Sequence, residues 1–214
     1  MLGAVAAGTA GPSALLWQAA APGLVLPERF SRTPQYASAA AACATTGWPV
    51  ATRKTGGGIT PQGPGVVNLA LAFRAEPGRS RGIRASYAAI CDPVAEALAS
   101  FGITATAAPV AGSFCDGDYN LAVAGRKLVG TAQRWRGTAC LAHALILTDI
   151  ALAPAVAAVQ RLSDGLGHAA RFDARLHCRL ADLTDARGGL GARLAARLWP
   201  VLTRRGYAPW AAAT

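Results

Sequence analysis

Hydrophobic positions along this chain fall mostly into short runs broken by Gly, Pro and Asp, with fewer stretches at helical spacing. Residues 13–18 (SALLWQ) and 23–26 (GLVL) read as two short strands separated by Ala and Pro. Residues 34–47 form an Ala-rich helix with Pro near its start and Gly after its end. A strand at 48–52 leads into Arg53-Lys54-Thr55-Gly56-Gly57-Gly58, a rigid Pro/Gly turn covers 61–65, and 66–73 (VVNLALAF) is a buried strand. Residues 86–101 carry apolar positions at helical spacing around Pro93, which predicts a kinked helix or a break and restart at that proline. An extended segment at 103–110 precedes a short strand at 119–124, a hairpin turn at Gly125-Arg126 and a returning strand from Lys127. A buried strand over 138–147 contains His143, an amphipathic helix follows at 150–161, and a last helix lies near 190–204. No internal repeat is visible.

With 214 residues and 52% hydrophobic content, the chain is long and apolar enough for one domain with a real core. Its net charge of +10 raises the question of nucleic acid. The arginines are scattered, however, and the densest groups are Arg79-Ser80-Arg81 with Arg84, Arg134-Trp135-Arg136 and Arg204-Arg205. A nucleic-acid footprint needs a stripe or cluster, so no nucleic acid is expected; an acidic protein partner suits this surface equally well. Five cysteines without CxxC spacing point to a reducing compartment, the cytoplasm, with neither a disulfide framework nor a metal site. Cys43, Cys91 and Cys140 sit among apolar residues and read as core. The opening MLGAVAAGTAG is apolar but has no basic flank and is too short to span a bilayer, so no membrane association is expected.

Chemistry concentrates between Ser113 and Arg134. Cys115 stands in a Gly- and Asp-rich turn, an exposed kind of place for a thiol, and Lys127 follows on the adjoining strand. A thiol beside an ammonium can serve as an acyl-transfer centre, because the cation favours the nucleophilic thiolate. Composition gives Lys127 extra weight: of 21 basic residues, 19 are Arg and only Lys54 and Lys127 are Lys. Arg does not replace a compact ammonium that must approach an acyl oxygen. Gly56, Gly57 and Gly58 can bring backbone N–H groups close to an anion or carbonyl, though a glycine triplet alone is weak evidence. His143 lies in an apolar run, where a satisfied core imidazole competes with a role near the site. His168 and His177, in polar Arg-rich surroundings, show no metal-ligand spacing.

In this order, four blocks resemble the lipoate–protein ligase, octanoyltransferase and biotin–protein ligase superfamily, over roughly residues 15–182. Arg53-Lys54-Thr55-Gly56-Gly57-Gly58 is similar to its basic glycine-rich acyl-binding loop, and Asn68-Leu69-Ala70-Leu71 to the buried strand after it. The specific block is the run from Gly125 to Arg134, GRKLVGTAQR, which contains Gly130, Thr131 and Ala132. His143-Ala144-Leu145-Ile146-Leu147 is similar to a supporting strand. The resemblance implies an α+β fold: a mixed, largely antiparallel sheet flanked by helices, biotin/lipoate protein ligase-like and related to class II aminoacyl-tRNA synthetases. It further implies a single catalytic domain over 1–214, with a C-terminal helical tail at 183–214. Family members commonly carry a helix before the first strand. Here only the short opening precedes it, so the helix is expected to be truncated and an apolar groove partly uncovered.

Within the superfamily, the segment around Cys115 most resembles the cysteine-dependent amidotransferase branch. That branch implies Cys115 and Lys127 as catalytic residues. It also implies Arg53, Lys54, Gly56, Gly57, Gly58, Asn68, Gly130, Thr131, Ala132 and His143 as substrate-binding. The implied donor is acyl carrier protein or an acylated carrier domain, the acceptor is a lipoyl-domain protein, and no cofactor is needed beyond an octanoyl or lipoyl substrate. Backbone N–H groups of Gly57, Gly58 and Gly130 are candidate oxyanion donors, and Val66, Leu69 and Leu71 are candidates for an acyl tunnel. Two alternatives remain open at this level: a ligase using ATP and Mg²⁺, and a non-catalytic relative that binds carrier or lipoyl domains. Two departures bear on them. Asn120 stands where the superfamily commonly has Asp, and Ile59-Thr60-Pro61-Gln62 replaces the ligases' usual "V-x-H-D".

Overall fold

The structure, a computed structural model, describes residues 1–75 and 82–211. In chain order the elements are α1 (Leu2–Ala7), β1 (Ser13–Trp17), β2 (Gly23–Pro27), α2 (Tyr36–Ala44), β3 (Val50–Arg53), β4 (Thr60–Gln62) and β5 (Val66–Arg74). Then come α3 (Ile83–Ala99), β6 (Thr106–Ala107), β7 (Leu121–Val123), β8 (Arg126–Arg136), β9 (Ala139–Leu147), α4 (Leu152–Gly165), α5 (Leu190–Arg204) and β10 (Ala208–Pro209).

Seven strands form the main sheet in the order β10-β1-β5-β9-β8-β7-β6, antiparallel throughout except for the parallel pair β1–β10. A second sheet of three strands runs β3-β2-β4, with β2–β3 parallel and β2–β4 antiparallel. The α+β expectation stands, with helices on a largely antiparallel sheet.

Strand parity assigns the two faces of the main sheet. On β5, Val67, Leu69 and Leu71 join Ala142, Ala144 and Ile146 of β9 in one core, closed by Ile90, Val94 and Leu98 of α3 and by α5. Helix α5 supplies Leu190, Leu194, Leu198 and Leu202 at four-residue spacing, each worth about 1.5–3 kcal/mol when buried. Val66, Leu145 and Leu147 face the other way, into a second core with Leu24 and Leu26 of β2 and the apolar stripes of α2 and α4. Helix α1 lies on this sheet too, with Val5 buried against Ala72 and Ala139.

Several expectations shift. Pro93 neither breaks nor restarts its helix: α3 runs unbroken over 17 residues with Pro93 buried. Burial of the α3 stripe outweighs the roughly 3 kcal/mol that an interior proline costs. The hairpin turn lies one residue earlier than expected, at Ala124 and Gly125, whose φ of 47° and 74° fit a two-residue turn between the paired Val123 and Arg126. Of the extended segment 103–110, only Thr106–Ala107 pairs as a strand. The C-terminal segment is built into the body of the protein, since α5 packs in the α3 core and β10 hydrogen-bonds to β1.

Among the arginine groups, Arg79-Ser80-Arg81 lies outside the described residues. Arg204 and Arg205 are both engaged by Glu96.

Candidate active site

The space between the two sheets is a cavity of about 630 Å³. Its floor is the main sheet: Asn68 of β5, Gly130, Ala132 and Arg134 of β8, and Leu141, His143 and Leu145 of β9. Trp17 of β1 adds to that floor, the small sheet supplies the facing wall, and Cys115 lines the cavity too. Adjacent strands stack these residues, pairing Ala132 with His143 and Gly130 with Leu145. Leu69 and Leu71, expected in the tunnel wall, are wholly buried on the opposite face, and Val66 packs in the second core. Asn68, between Val67 and Leu69, has the parity that reaches the cavity. A one-residue difference in strand phase decides which residues meet a ligand.

Cys115 is the half-buried thiol among five free cysteines; the other four are buried. Burial pushes Cys91 and Cys140 up to about 12, which keeps them as inert core thiols. Cys115 adopts φ 50°, a left-handed conformation that a side-chain-bearing residue holds only at a cost. The strain aims its sulfur at the glycine loop, where the Gly58 N–H donates to Cys115 Sγ at 3.0 Å. A Cβ on Gly57, whose φ is 97°, would lie 2.7 Å from that sulfur and 3.0 Å from Arg53 Nη2. Thiol and guanidinium thus converge on one point, and only glycine leaves it empty. Arg53 is locked there by bonds donated to the carbonyls of Val25, Gly56 and Gly58. Burial holds its pKa below the ordinary value, partly offset by Cys115.

Lys127 is completely buried. Its Nζ donates to the carbonyl oxygens of Phe114 at 2.6 Å and Cys115 at 2.7 Å, and stands 5.2 Å from the centre of the Phe114 ring. The sequence reading placed this ammonium beside the thiol. Its hydrogen bonds go instead to the backbone that carries the thiol. Burial lowers its pKa to about 8, with Cys115 and Asp116 opposing the shift. Gly130 serves Lys127 through an absence, because a Cβ there would sit 3.2 Å from Lys127 Cε and 3.4 Å from Nζ. Thr131 Oγ1 donates to the Tyr119 carbonyl at 2.7 Å, and Ala132 lies on the cavity floor. His143 Nε2 lies 3.1 Å from Thr55 Oγ1, and burial, followed by Arg53, takes its pKa down to about 4. Asn68 and Gln62 exchange amide hydrogen bonds of 2.8 and 3.1 Å, tying the two sheets across the cavity.

Asn120 has a definite partner. Asp116 Oδ1 accepts from Asn120 Nδ2, Val110 N–H and Gly117 N–H at 2.7–2.9 Å, so an amide donor at position 120 completes the carboxylate's cage. Beside the cavity is a polar vestibule of about 290 Å³, lined by Arg29, Arg32, Arg53, Lys54 and Arg134, with Glu28 as its single acid. Among the described residues, none of these five cations is in an ion pair with a carboxylate.

One residue near the thiol was missed. His177, read as lying in polar surroundings, is 2% exposed, stacked on Phe114 and bonded to its N–H. No local spacing could have revealed it, since Phe114 and His177 are brought together only by the fold.

The catalytic-domain model of lipoyl protein ligases A and B matches residues 2–184. The chain belongs to the lipoyl protein ligase A/B catalytic domain family. It is 44% identical over 127 residues to an uncharacterised protein of Cupriavidus necator, covering 58% of this chain and 50% of that protein. Over 92 residues it is also 44% identical to an octanoyl-[GcvH]:protein N-octanoyltransferase of Kyrpidia tusciae, covering 42% of this chain and 31% of the relative. The chain therefore spans only 31% to 50% of the length of these relatives. In three dimensions it is similar to a bipartite lipoate protein ligase of Thermoplasma acidophilum, solved as part of an archaeal lipoylation system with an E2 lipoyl domain. The TM-score is 0.66 at 16% identity over 94% of this chain and 75% of that one, a likeness of fold. Among the described residues of this family member, no helix is long and apolar enough to cross a membrane.

Proposed function

We propose that this protein is an acyltransferase that carries an octanoyl group through a Cys115 thioester to the lysine of a lipoyl domain. The observation that carries the reading is the Cys115 sulfur, set by a strained backbone at the mouth of an apolar cavity and facing the glycine loop. A cavity of about 630 Å³ is in the range of small-ligand sites and takes an eight-carbon chain comfortably. Each buried methylene of that chain contributes about 0.8 kcal/mol, which gives selectivity by length. The K. tusciae relative's activity accords with octanoyl as the group transferred.

In the first step the Cys115 thiolate attacks the carbonyl carbon of the acylated donor. A sulfur–carbon bond forms to Cys115, the sulfur–carbon bond of the donor's thioester breaks, and the donor's sulfur departs as a thiolate. In the second step the acceptor lysine amine attacks the thioester, a carbon–nitrogen bond forms, and Cys115 is released. Lys127, with its pKa near 8, can take the amine's proton in its neutral form. Arg53 and the glycine-loop N–H groups stabilise charge on the acyl oxygen. The Gly58 N–H occupied by the resting thiol becomes available once the sulfur is acylated.

Substrate contacts come from Lys54, Gly56, Gly57, Asn68, Thr131, Ala132 and His143 around the cavity and its mouth, while Gly130 keeps room for Lys127. The donor is an octanoylated carrier protein and the acceptor a lipoyl-domain protein, both presenting acidic faces to the five-cation vestibule. The reaction consumes no nucleotide and uses no metal. One catalytic domain holds the whole site, in a reducing cytoplasm that keeps the five thiols free.

Intact mass after incubation with an octanoyl-loaded carrier, without ATP, tests this. One octanoyl adduct is expected, reversed by hydroxylamine and absent in Cys115→Ala. No adduct without ATP, but an acyl-adenylate from ATP and octanoate, would make the protein a ligase and overturn the reading.

A further inference from the structure

The geometry points to His177 as a positioning residue that holds Cys115 in its reactive conformation by gripping the Phe114 backbone. The inference rests on Cys115 being the nucleophile of the proposed reaction.

The Phe114 peptide is held from both sides. Its N–H donates to His177 Nε2 at 3.2 Å, and its carbonyl accepts from Lys127 Nζ at 2.6 Å. Its ring stacks on the His177 imidazole at 4.3 Å with planes 18° apart, and Lys127 Nζ stands over the same ring. The backbone and the ring of Phe114 are thus restrained together. The next residue, Cys115, then sits at φ 50°, which an isolated peptide would leave readily.

The imidazole is itself fixed. Since Nε2 accepts a backbone N–H, the ring proton lies on Nδ1, which donates to the Asp173 carbonyl at 3.0 Å. Asp173 N–H donates to the Gly112 carbonyl at 3.0 Å. These three bonds close a ring between residues 112–114 and 173–177. The same segment reaches the other catalytic residue, because Cys178 N–H donates to the Lys127 carbonyl at 2.9 Å and residue 177 bridges residue 127. One buried side chain therefore couples the thiol-bearing turn to the lysine-bearing strand. Burial and the neighbouring Lys127 keep the ring neutral, as an acceptor at Nε2 requires.

Two substitutions separate this role from packing. His177→Phe preserves the ring stack but removes the acceptor, leaving the Phe114 N–H unpaired. His177→Gln loses the stack but returns an acceptor of similar reach. The readout is the single-turnover octanoylation of Cys115 by the octanoyl thioester of N-acetylcysteamine, a small neutral donor. His177→Phe is expected to slow the maximal rate by at least about tenfold with little change in the donor concentration for half-saturation, and His177→Gln to stay within about threefold of the wild type. A His177→Phe rate within twofold of the wild type would overturn the proposal. Equal losses in both variants would also overturn it, since packing alone would then explain them. If the wild-type protein takes no acyl group, the proposed function fails. The clamp is then read separately from the rate of Cys115 alkylation by iodoacetamide, with the same order expected. Should His177→Phe not fold, His177→Asn, whose shorter amide falls short of Phe114, replaces it.

Discussion

At the scale of single residues, the site depends on atoms that are missing as much as on those present. Gly57→Ala would put a methyl 2.7 Å from the Cys115 sulfur at a backbone φ of 97°, so either the thiol or the loop must move. The expected result is a loss of about a hundredfold in the rate of thioester formation, measured by intact mass over time. Gly11→Ala, outside the cavity lining and with nothing within 4 Å of its added carbon, is the control and should retain that rate. Lys127 makes a second prediction. Its folded pKa of about 8 lies below its ordinary 10.5, so between those values the unfolded chain binds more protons than the folded one. Stability contributed by this group therefore rises with pH across that window. Urea denaturation of the wild type and of Lys127→Met should show the difference between them shifting toward the wild type by on the order of 2–3 kcal/mol from pH 7.5 to pH 10. A shift in the opposite sense would show that Lys127 is not held below its usual pKa. The weight given to Lys127 came from its rarity in an arginine-rich chain, and burial explains that rarity. A guanidinium cannot fit where Gly130 alone leaves space beside two converging carbonyls.

At the scale of elements, the junction between the sheets decides the cavity's shape. Asn68 on β5 and Gln62 on β4 exchange two hydrogen bonds across it. Asn68→Leu should strand the Gln62 amide and lower unfolding stability by about 1–3 kcal/mol in urea titrations, with a matching loss of acyl-chain selectivity. A variant as stable as the wild type would mean that Gln62 finds water or another partner. Strand periodicity made β1, β2, β5, β8 and β9 legible, because their apolar residues alternate or run continuously through a core. The same reading put Leu69 and Leu71 in the tunnel, since an all-apolar strand such as β5 carries no mark of which face meets the ligand. Of the two readings at Pro93, the break and restart gives way to one continuous helix, because burial of a whole helix face outweighs local propensity. Strands of two or three residues, such as β4, β6 and β10, have too few positions to show any period.

At the scale of the molecule, the polar vestibule beside the cavity gathers five cations around a single acid. Several arginines elsewhere, among them Arg171, Arg175, Arg179, Arg204 and Arg205, are spent on nearby carboxylates. Among the described residues, the five cations of the vestibule are in no such pair. Transfer from an acidic carrier should therefore weaken with ionic strength. Arg32→Glu should raise KM for the carrier by about fivefold at low salt and flatten that dependence. An unchanged KM at low salt would remove the vestibule from the docking surface. The sequence by itself determined the thiol, the unusual lysine and the glycine loop, because each is written in local pattern or residue type, and the α+β class followed from the family resemblance those motifs carry. Only the tertiary structure decided that Lys127 holds the backbone of Cys115 rather than its sulfur, that Asn68 faces the cavity, and that His177 joins the site. Those facts depend on strand phase and on contacts between residues as far apart as Phe114 and His177. The chain acquires such contacts only when burial of its two apolar cores brings the segments together.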